Sequence, residues 1–372
     1  MPNRKLHIPR GRLAALLVCA GLAALLPAPA LAWGDEGHRI TARIAARFLT
    51  PAAAREVSTL LRNDARNNPA YFQKQCPAVL ALSRKSQLTN TEAATFLVEG
   101  MACVAPWPDP PVKDQRPYTA NWHFVDIPVI MKSAGGPRRF TYDPGRDCVM
   151  DFRRGDCAIQ ALGRLWAVLG NAKVPNQKGH EWGEELTSRS EALKFFVHIV
   201  GDVHQPLHNV TDKADEKAAA DPKNMGDIGG NRKYATWFGD ATTPYGLMNL
   251  HSVWDSGIID RTLQVNKLTE DGYYKKLFQE INAAGGAALA KMQAGDMFAW
   301  TADTYDTAVQ SAYGKLPPLS PDCGAKDEKT GEMSGCYKLA DEYYSANKGV
   351  VDSQLKLGGV RLAKLLNDAL GK

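Results

Sequence analysis

The sequence predicts an all-α fold, which is a single compact and mainly helical domain whose long loops are cross-linked by disulfides. Helix signals are found along most of the chain, and strand-like alternation of apolar and polar residues is almost absent. Loops as long as those between the helices usually carry function or are held by cross-links. These polar or proline-rich segments are residues 104–121, 130–150, 209–248 and 314–336.

The amino-terminal segment has the three parts of a secretory signal peptide. Basic residues precede an apolar run from Leu13 to Leu26 that is too short to span a bilayer, and the small-x-small site Ala30-Leu31-Ala32 follows. We therefore predict that residues 1–32 are removed and that residues 33–372 form the mature domain, secreted or periplasmic. An uncleaved anchor is the weaker alternative. No later stretch is long and apolar enough for a membrane helix, so no stable membrane association is expected.

The net charge of the mature chain is close to zero. Removing residues 1–32 takes away four basic residues and no acidic one, which leaves 41 Lys and Arg against 40 Asp and Glu. Binding of nucleic acid through bulk positive charge is therefore not supported. Any attraction for phosphate groups must come from a few local Lys or Arg residues or from metal ions.

The cysteines of the mature chain predict disulfides, because an even number in an exported protein is typical of them. Six cysteines remain after residue 32, and six allow fifteen pairings. We favour the local loops Cys148–Cys157 and Cys323–Cys336, which leaves Cys76–Cys103. The sequence has no Cys-x-x-Cys pair, which disfavours a zinc site built from thiolates.

Caps and apolar spacing place the helices. Thr50 before Pro51 predicts a helix start, and Ser188 or Ser190 caps a helix that runs to Val203. Apolar residues at helical spacing predict the others. These are Cys157 to Leu169, Leu250 to Ile259, Tyr273 to Met292, Met297 to Tyr313 and a last helix with a stripe of Val351, Leu355, Leu362, Leu366 and Ala369.

The stretch from Phe195 to Asn209 concentrates groups that can bind metals. His198 and Asp202 are four residues apart, so on a helix they lie on one face, one turn apart. Pro206 ends the helix and lets His208 return from another direction. The apolar neighbours predict burial, and a buried imidazole and carboxylate need a partner. That partner is a shared metal ion or, in the simpler alternative, a hydrogen bond between the two side chains.

Further stretches carry candidate ligands. His251 and Asp255 repeat the His-x-x-x-Asp spacing. The stretch Trp33-Gly-Asp-Glu-Gly-His38 would open the mature chain, where a free α-amino group and its own carbonyl can chelate a metal near the imidazole. Two candidates that are weak alone are Trp107-Pro-Asp109 and Trp122-His123-Phe124-Val-Asp126.

The order of these stretches resembles that of the extracellular single-strand-specific zinc nucleases of the S1/P1 type, which are related to the zinc-dependent phospholipases C. The resemblance spans Trp33 to Asp255. It is carried by Trp-x-x-x-x-His, Trp-Pro-Asp, His-Phe-x-Asp, His-x-x-x-Asp-x-x-Gln-Pro-Leu-His, Gly-Gly-Asn and Asn-Leu-His-x-x-Trp-Asp.

The resemblance implies a mostly α-helical fold with three zinc ions in one cleft. Asp202 would bridge the close pair of ions. Imidazoles and carboxylates suit zinc, and each set of ligands leaves positions open for water or substrate. The implied sets are Asp109, His123, His198 and Asp202 for one zinc, the amino and carbonyl groups of Trp33 with His38 and Asp202 for a second, and His208, His251 and Asp255 for the third.

The activity that the resemblance implies is hydrolysis of single-stranded DNA and RNA to 5′-phosphorylated products, with removal of 3′-phosphates from nucleotides. A metal-activated water attacks phosphorus, so no protein nucleophile is needed. Phe124 would stack a base and Asp126 would bond its edge, unless Phe124 only packs in the core. Stacking requires an unpaired base, which explains a single-strand preference. Asn231, in Gly-Gly-Asn, would touch substrate.

The chain departs from the family pattern in two places. Pro110-Pro111 follow the Trp-Pro-Asp stretch, where many members carry a basic residue near the scissile phosphate. Lys113 or Arg116 is the candidate here, and we place Lys113 with Asp109 in the catalytic set. The segment from Asn209 to Asp227 is longer than usual and lies beside cleft ligands, which puts the breadth of substrates in question. We interpret His204 as outside the ligand set.

Two other functions would also suit the ligand set. A zinc-dependent phospholipase C acting on phospholipid headgroups would use the same metals, so the ligands alone do not separate it. The pair Phe124 and Asp126 and the closer match of the tryptophan motifs favour the nuclease. A zinc-storing protein is disfavoured by the open coordination positions. We expect a monomer that takes single-stranded nucleic acid and nucleotides as substrates.

Overall fold

The computed structural model describes residues 33–151, 153–171, 188–239, 248–324 and 334–371. Leu31–Lys372 form one compact unit. The predicted signal peptide lies outside the described residues, so its removal stays a prediction. Among the described residues, no helix has both the length and the apolar character needed to cross a membrane.

Helices form most of the described chain, and the prediction of a mainly helical domain is confirmed. Short 3-10 helical stretches at Pro117–His123 and Pro206–Asn209 and π-helical stretches at Val253–Gly257 and Ala308–Tyr313 adjoin them. In chain order the α-helices are α1 (Asp35–Ala46), α2 (Pro51–Asn67), α3 (Pro69–Gln75), α4 (Pro77–Ser83), α5 (Asn90–Val104), α6 (Val112–Gln115), α7 (Pro144–Asp147), α8 (Ala158–Leu169), α9 (Arg189–Asp202), α10 (Glu216–Ala220), α11 (Leu250–Ser252), α12 (Ile258–Asn266), α13 (Glu270–Gln293), α14 (Met297–Thr307) and α15 (Asp341–Leu370).

Two small sheets lie in or next to segments that the sequence predicts as loops. In the first, β1 (Pro128–Ile130) pairs antiparallel with β2 (Arg138–Arg139) and parallel with β3 (Thr211–Asp212). In the second, β4 (Tyr234–Trp237) lies between β5 (Met248–Asn249) and β6 (Tyr337–Leu339). Strands of two to four residues are too short to show a period of two, which is why the sequence does not reveal them.

The predicted helix starts are correct where a cap defines them. The hydroxyl of Thr50 accepts the Ala53 amide at 3.3 Å, and Ser188 caps α9. One expectation is wrong in detail. Residues 250–259 are not one helix, because the π-helical stretch Val253–Gly257 separates α11 from α12, which continues to Asn266. Helix α1 is not anticipated either, since its residues were interpreted only as a chelating terminus.

The core surrounds α9, in which every residue from Ser190 to Asp202 except Glu191 is buried. Helix α9 packs on α8, α2, α15 and α1, and α1 in turn packs on α15 and α5. The contact of α1 with α15 is close, since a Cβ at Gly359 would lie 2.4 Å from the Ile44 side chain. Arg43 of α1 also pairs with Glu99 and Glu270. These contacts fix the orientation of α1 relative to α9.

Three disulfides hold the long segments, and all three match the predicted pairing. Cys148–Cys157 and Cys323–Cys336 close local loops. Cys76–Cys103 ties the junction of α3 and α4 to the end of α5. The chain that leaves α5 there supplies one wall of the site described next.

Candidate metal centre

The centre begins with two side chains on α9. His198 and Asp202 lie on one face, with 3.3 Å between Nε2 and a carboxylate oxygen. The backbone carbonyl of Ala105, just after α5, accepts a hydrogen bond from His198 Nδ1 at 2.7 Å. Because Nδ1 carries the proton, Nε2 presents its lone pair toward Asp202. The orientation of this imidazole is therefore set by a neighbouring backbone group.

His38 of α1 lies against the same pair. Its ring stacks on the His198 ring with centroids 3.8 Å apart and an interplanar angle of 14°. Its Nε2 lies 3.3 Å from the second carboxylate oxygen of Asp202. Gly201 makes this approach possible, because a Cβ there would lie 2.8 Å from His38 Nδ1. Asp202 thus presents one oxygen to His38 and the other to His198.

Two loop residues complete this side of the centre. His123 ends the stretch Pro117–His123, and its Nδ1 lies 3.0 Å from both Asp202 Oδ2 and His198 Nε2. Asp109, in the turn after α5, has an oxygen 3.8 Å from the same two ring nitrogens. The sequence separates Asp109 from His123 by 14 positions, and the fold brings both to α9.

A second group of side chains adjoins the first. His208 donates Nδ1–H to the carbonyl of His123 at 2.6 Å, and His251 donates Nδ1–H to the carbonyl of Gly229 at 2.7 Å. Their Nε2 atoms then face each other at 3.1 Å. Asp255 lies 3.8 Å from the first Nε2 and 3.5 Å from the second. The π-helical stretch that was not predicted carries Asp255 and keeps it close to His251.

These donor sets fit metal cations. Two Nε2 lone pairs 3.1 Å apart repel each other unless a cation lies between them. A proton is disfavoured in that role, because burial lowers the pKa of His251 to about 4 and that of His208 well below its usual value. Three groups have ligand atoms close enough for one ion each. They are His38, Asp109 and His198; His123, His198 and Asp202; and His208, His251 and Asp255.

Several other buried polar atoms of the centre lack protein partners. Burial lowers the pKa of His38 to about 4 and of His198 to about 3, and it raises the pKa of Asp202 and Asp255. A bound divalent cation would favour the charged carboxylates and the neutral imidazoles together. The buried ligand-side atoms without a hydrogen-bond partner are His38 Nδ1 and Nε2, Asp109 Oδ1, His123 Nε2, Asp202 Oδ1 and Asp255 Oδ2.

Trp33 is fully buried beside the centre. The Gly34 amide donates to the Asp255 carbonyl at 2.8 Å, and a Cβ at Gly37 would lie 2.9 Å from the Trp33 side chain. The chain at residues 33 and 34 therefore runs between His38 and Asp255, close to both groups of ligands.

Of the two basic candidates, Lys113 is the one whose charge acts on a side chain of the centre. Burial raises the pKa of Asp109, and the Lys113 ammonium acts in the opposite direction, which places its charge near the centre. No ion pair joins Lys113 to another residue that the structure describes. Arg116 instead pairs with Glu191, and its guanidinium lies 5.7 Å from the centre of the Trp107 ring.

Phe124 and Asp126 line one cavity beside the centre, and Phe124 is only partly buried. Burial of Asp126 raises the pKa of its carboxyl to about 7. Asn231 lies elsewhere. Its amide donates to the Ile228 carbonyl at 2.8 Å, in the turn whose Gly229 carbonyl holds His251. The three predicted substrate residues are thus not brought to one place.

His204 is buried away from these ligands. It donates to the Val200 carbonyl at 2.8 Å and lies 3.2 Å from an Arg361 nitrogen, so it stands outside the centre as expected. Sequence reasoning missed Gln205, whose amide holds Asp255 at 2.6 Å. The motif Gln-Pro-Leu-His contains it, so its position was available as a signal.

The helical fold and its buried histidines and aspartates define a class, a mainly helical protein with a centre suited to metal ions. The family model described as S1/P1 Nuclease matches residues 33–371. The chain belongs to this family, and it is therefore a nuclease-type hydrolase that acts on phosphodiester bonds. The recognition made from the motifs is confirmed.

Curated relatives match over nearly the whole chain. Endonuclease 5 of Arabidopsis thaliana is 26% identical over 341 residues, which cover 91% of this chain and 90% of the relative. Nuclease P1 of Penicillium citrinum is 24% identical over 342 residues, which cover 91% of this chain and 98% of the relative. Nuclease S1 of Aspergillus oryzae is 25% identical over 336 residues, which cover 90% of this chain and 91% of the relative.

Proposed function

We propose that the protein is a zinc-dependent phosphodiesterase that hydrolyses single-stranded DNA and RNA to 5′-phosphorylated products and removes 3′-phosphates from nucleotides. It acts as a monomer outside the cytoplasm after loss of residues 1–32. Three zinc ions are its cofactors. When bound, they supply a water that ionises near neutral pH and positive charge for the phosphate oxygens.

One observation carries this proposal: the cavity with Phe124 and the candidate metal centre are built on the same four residues. His123 belongs to the centre, and its carbonyl accepts His208 Nδ1–H. The Val125 amide donates to the His208 carbonyl at 2.7 Å. Phe124 and Asp126 flank that bond and line the adjacent cavity. A nucleotide whose base stacks on Phe124 would have its phosphate close to the ligands.

The proposed roles are those that the family resemblance implies, and the closeness of the side chains in the centre supports them. Asp109, His123, His198 and Asp202 hold one zinc, His38 and Asp202 hold a second with the amino and carbonyl groups of Trp33, and His208, His251 and Asp255 hold the third. Lys113 offsets negative charge on the phosphate. Asn231, which lies in the Gly229 turn, contacts substrate on that side of the centre.

The phospholipase alternative is not favoured by any feature of the described residues. A phospholipid headgroup has no aromatic ring to stack on Phe124, and a choline cation prefers a cage of several aromatic rings. Among the described residues that line the cavity beside the centre, Phe124 is the one aromatic ring. A single aromatic face next to a hydrogen-bonding carboxyl instead fits a nucleobase.

The test uses the mature protein on single-stranded DNA, duplex DNA, RNA, a 3′-nucleotide and phosphatidylcholine, each with and without a chelator. We expect rapid hydrolysis of the single strands and the nucleotide, abolished by the chelator and restored by zinc. Phe124→Leu should raise KM for single strands about tenfold, because one stacked base contributes about 1–3 kcal/mol. Nucleotide release that the chelator does not affect, or preferential hydrolysis of phosphatidylcholine, would refute the proposal.

A further inference from the structure

We propose that Lys213 and Asp126 together recognise the Watson–Crick edge of the base that stacks on Phe124, and that they select guanine. The inference rests on the proposed function, because it assigns a specificity to the base site. It also gives a role to the long segment from Asn209 to Asp227, which forms one wall of the cavity.

Lys213 is an unusual cavity residue, because lysine is rarely buried and this one is only 7% exposed. It directly follows β3, and its amide donates to the Val129 carbonyl at 2.8 Å, which anchors it beside β1. Its ammonium donates to the Asn224 carbonyl across the same segment. A lysine held at both its backbone and its ammonium group has a defined position, as recognition requires.

Asp126 and Lys213 influence each other without touching. Beyond burial, Lys213 exerts the largest effect on the pKa of Asp126, and Asp126 exerts the largest effect on the pKa of Lys213. Yet these two described residues form no ion pair with each other, although both line the cavity. Both side chains therefore border the same cavity, where the polar edge of one ligand can meet them.

Two other carboxylates of the cavity are already paired with arginines. Asp147 is bound by the Arg146 guanidinium at 2.8 Å, and Asp156 accepts from Arg164 at 2.7 Å. A phosphate is a poor ligand for Lys213, because carboxylates surround the ammonium. Those that raise its pKa are Asp126, Asp147, Asp221 and Asp227. A neutral ring with both acceptors and donors avoids that repulsion.

Guanine matches this pair better than the other bases do. Its edge presents the O6 acceptor beside the N1–H and N2–H donors, so the ammonium can donate to O6 while the two carboxylate oxygens accept from the two nitrogens. Adenine lacks a second adjacent donor for the carboxylate, and uracil and thymine have a single N–H. A site built for a donor or acceptor discriminates against a base that lacks it.

The test measures cleavage of single-stranded oligothymidylates that carry one central deoxyguanosine, deoxyinosine or deoxyadenosine, at the phosphate on its 3′ side. Deoxyinosine keeps O6 and N1–H but lacks the 2-amino group. We expect the cleavage rate to be highest for guanine, lower for hypoxanthine and lowest for adenine. Each hydrogen bond to a charged group that is lost should lower the rate about tenfold. Lys213→Met removes the donor to O6, so it should lower the rates for guanine and hypoxanthine and leave the rate for adenine unchanged.

The matched control is Lys223→Met, which removes an exposed lysine from the same segment and should leave the order of rates unchanged. Asp126→Asn keeps the shape of the side chain but adds a donor, so it should favour adenine over guanine. This second variant keeps the test decisive if Lys213→Met fails to fold.

Binding of GMP, IMP and AMP, the nucleoside 5′-monophosphates, to the zinc-loaded protein supplies a readout that needs no turnover. Tighter binding of GMP that Lys213→Met weakens, with binding of AMP unchanged, supports the inference. Equal cleavage at all three bases, or a Lys213→Met variant that lowers all three rates equally, overturns it while leaving the nuclease intact. A protein that cleaves not even plain oligothymidylate contradicts the proposed function instead.

Discussion

The metal centre and the base cavity are built by different means. The side chains of the centre are almost wholly buried, and helix α9 and backbone carbonyls orient three of its imidazoles. The cavity instead lies between short strands and the segment 209–227, and its rim includes Met225 and Val149, which are 41% and 48% exposed. A buried centre tolerates little change, whereas a surface segment can vary in length. Under the proposed function, the chemistry and the selectivity are therefore held in separable parts of the molecule.

The separation has one limit, which is the run His123 to Asp126. Its first residue belongs to the centre and its last lines the cavity. The Val125 amide fixes the run to His208. A substitution of a residue that lines the cavity should leave the metal centre intact. A substitution of a ligand of the centre should abolish hydrolysis whatever the base.

The largest effect is expected at Asp202. Its two oxygens approach different histidines, His38 and His198, so Asp202→Asn should lower the zinc content by about two ions per molecule and reduce kcat by about 10³-fold or more. His208→Asn should remove mainly one ion. Metal analysis of the purified variants distinguishes these outcomes.

His204→Asn is the matched control for this pair, because His204 is as buried as His198 but is bound to Arg361 and Val200. It should keep the full zinc content. Loss of a single ion from both Asp202→Asn and His208→Asn would contradict the bridging position of Asp202. Loss of zinc from the control would show that burial, and not ligation, governs metal content.

A smaller but still large effect is expected from the chain terminus. If the α-amino group of Trp33 is a ligand, a protein that retains one or two residues before Trp33 should lose about 100-fold in activity and part of its zinc. The comparison is with a protein beginning at Trp33, confirmed by mass spectrometry. Equal zinc content and near-normal turnover of the longer form would show that the α-amino group of Trp33 is not a ligand. His38 and Asp202 would then be the protein ligands of that ion.

The sequence predicted the centre better than the cavity for a physical reason. Helical spacing of four residues places His198 and Asp202 on one face whatever the rest of the fold does. The disulfides and most long helices follow from equally local signals. Asp109 and His123 could be assigned only through the family resemblance, since nothing in their spacing shows that two loops meet at α9.

The cavity depends on contacts between distant segments. Lys213 lies beside Asp126 only because β3 pairs with β1, with Thr211 opposite Pro128, and these strands are too short to recognise in the sequence. The polar composition of residues 209–227 shows a long loop but not what it covers. Helix α1 was missed for a related reason, because the metal-binding motif near Trp33 drew the interpretation away from helix signals.

The smallest effect is expected from the pH dependence of stability at Asp126, and it tests whether the cavity is independent of the centre. Burial raises the pKa of this carboxyl from 3.8 to about 7; Asp227 and Asp147 act in the same direction, and Lys213 and Arg154 oppose it. Between these values the folded protein holds a proton that the unfolded chain has lost. The free energy of unfolding therefore falls as pH rises from about 4 to about 7.

Asp126→Asn removes this penalty, so the variant should gain stability relative to the natural protein as pH rises, with a plateau above pH 7. We expect a gain of about 1–2 kcal/mol, less than the full shift in pKa converts to, because the carboxyl is partly exposed. Urea unfolding of both proteins at pH 5 and pH 8 measures it, and histidine titration at the centre cancels in the difference. Zinc content should be identical in the two proteins. A difference in stability that does not change with pH would mean that Asp126 is charged throughout, and a loss of zinc would show that the run His123 to Asp126 couples the cavity to the centre.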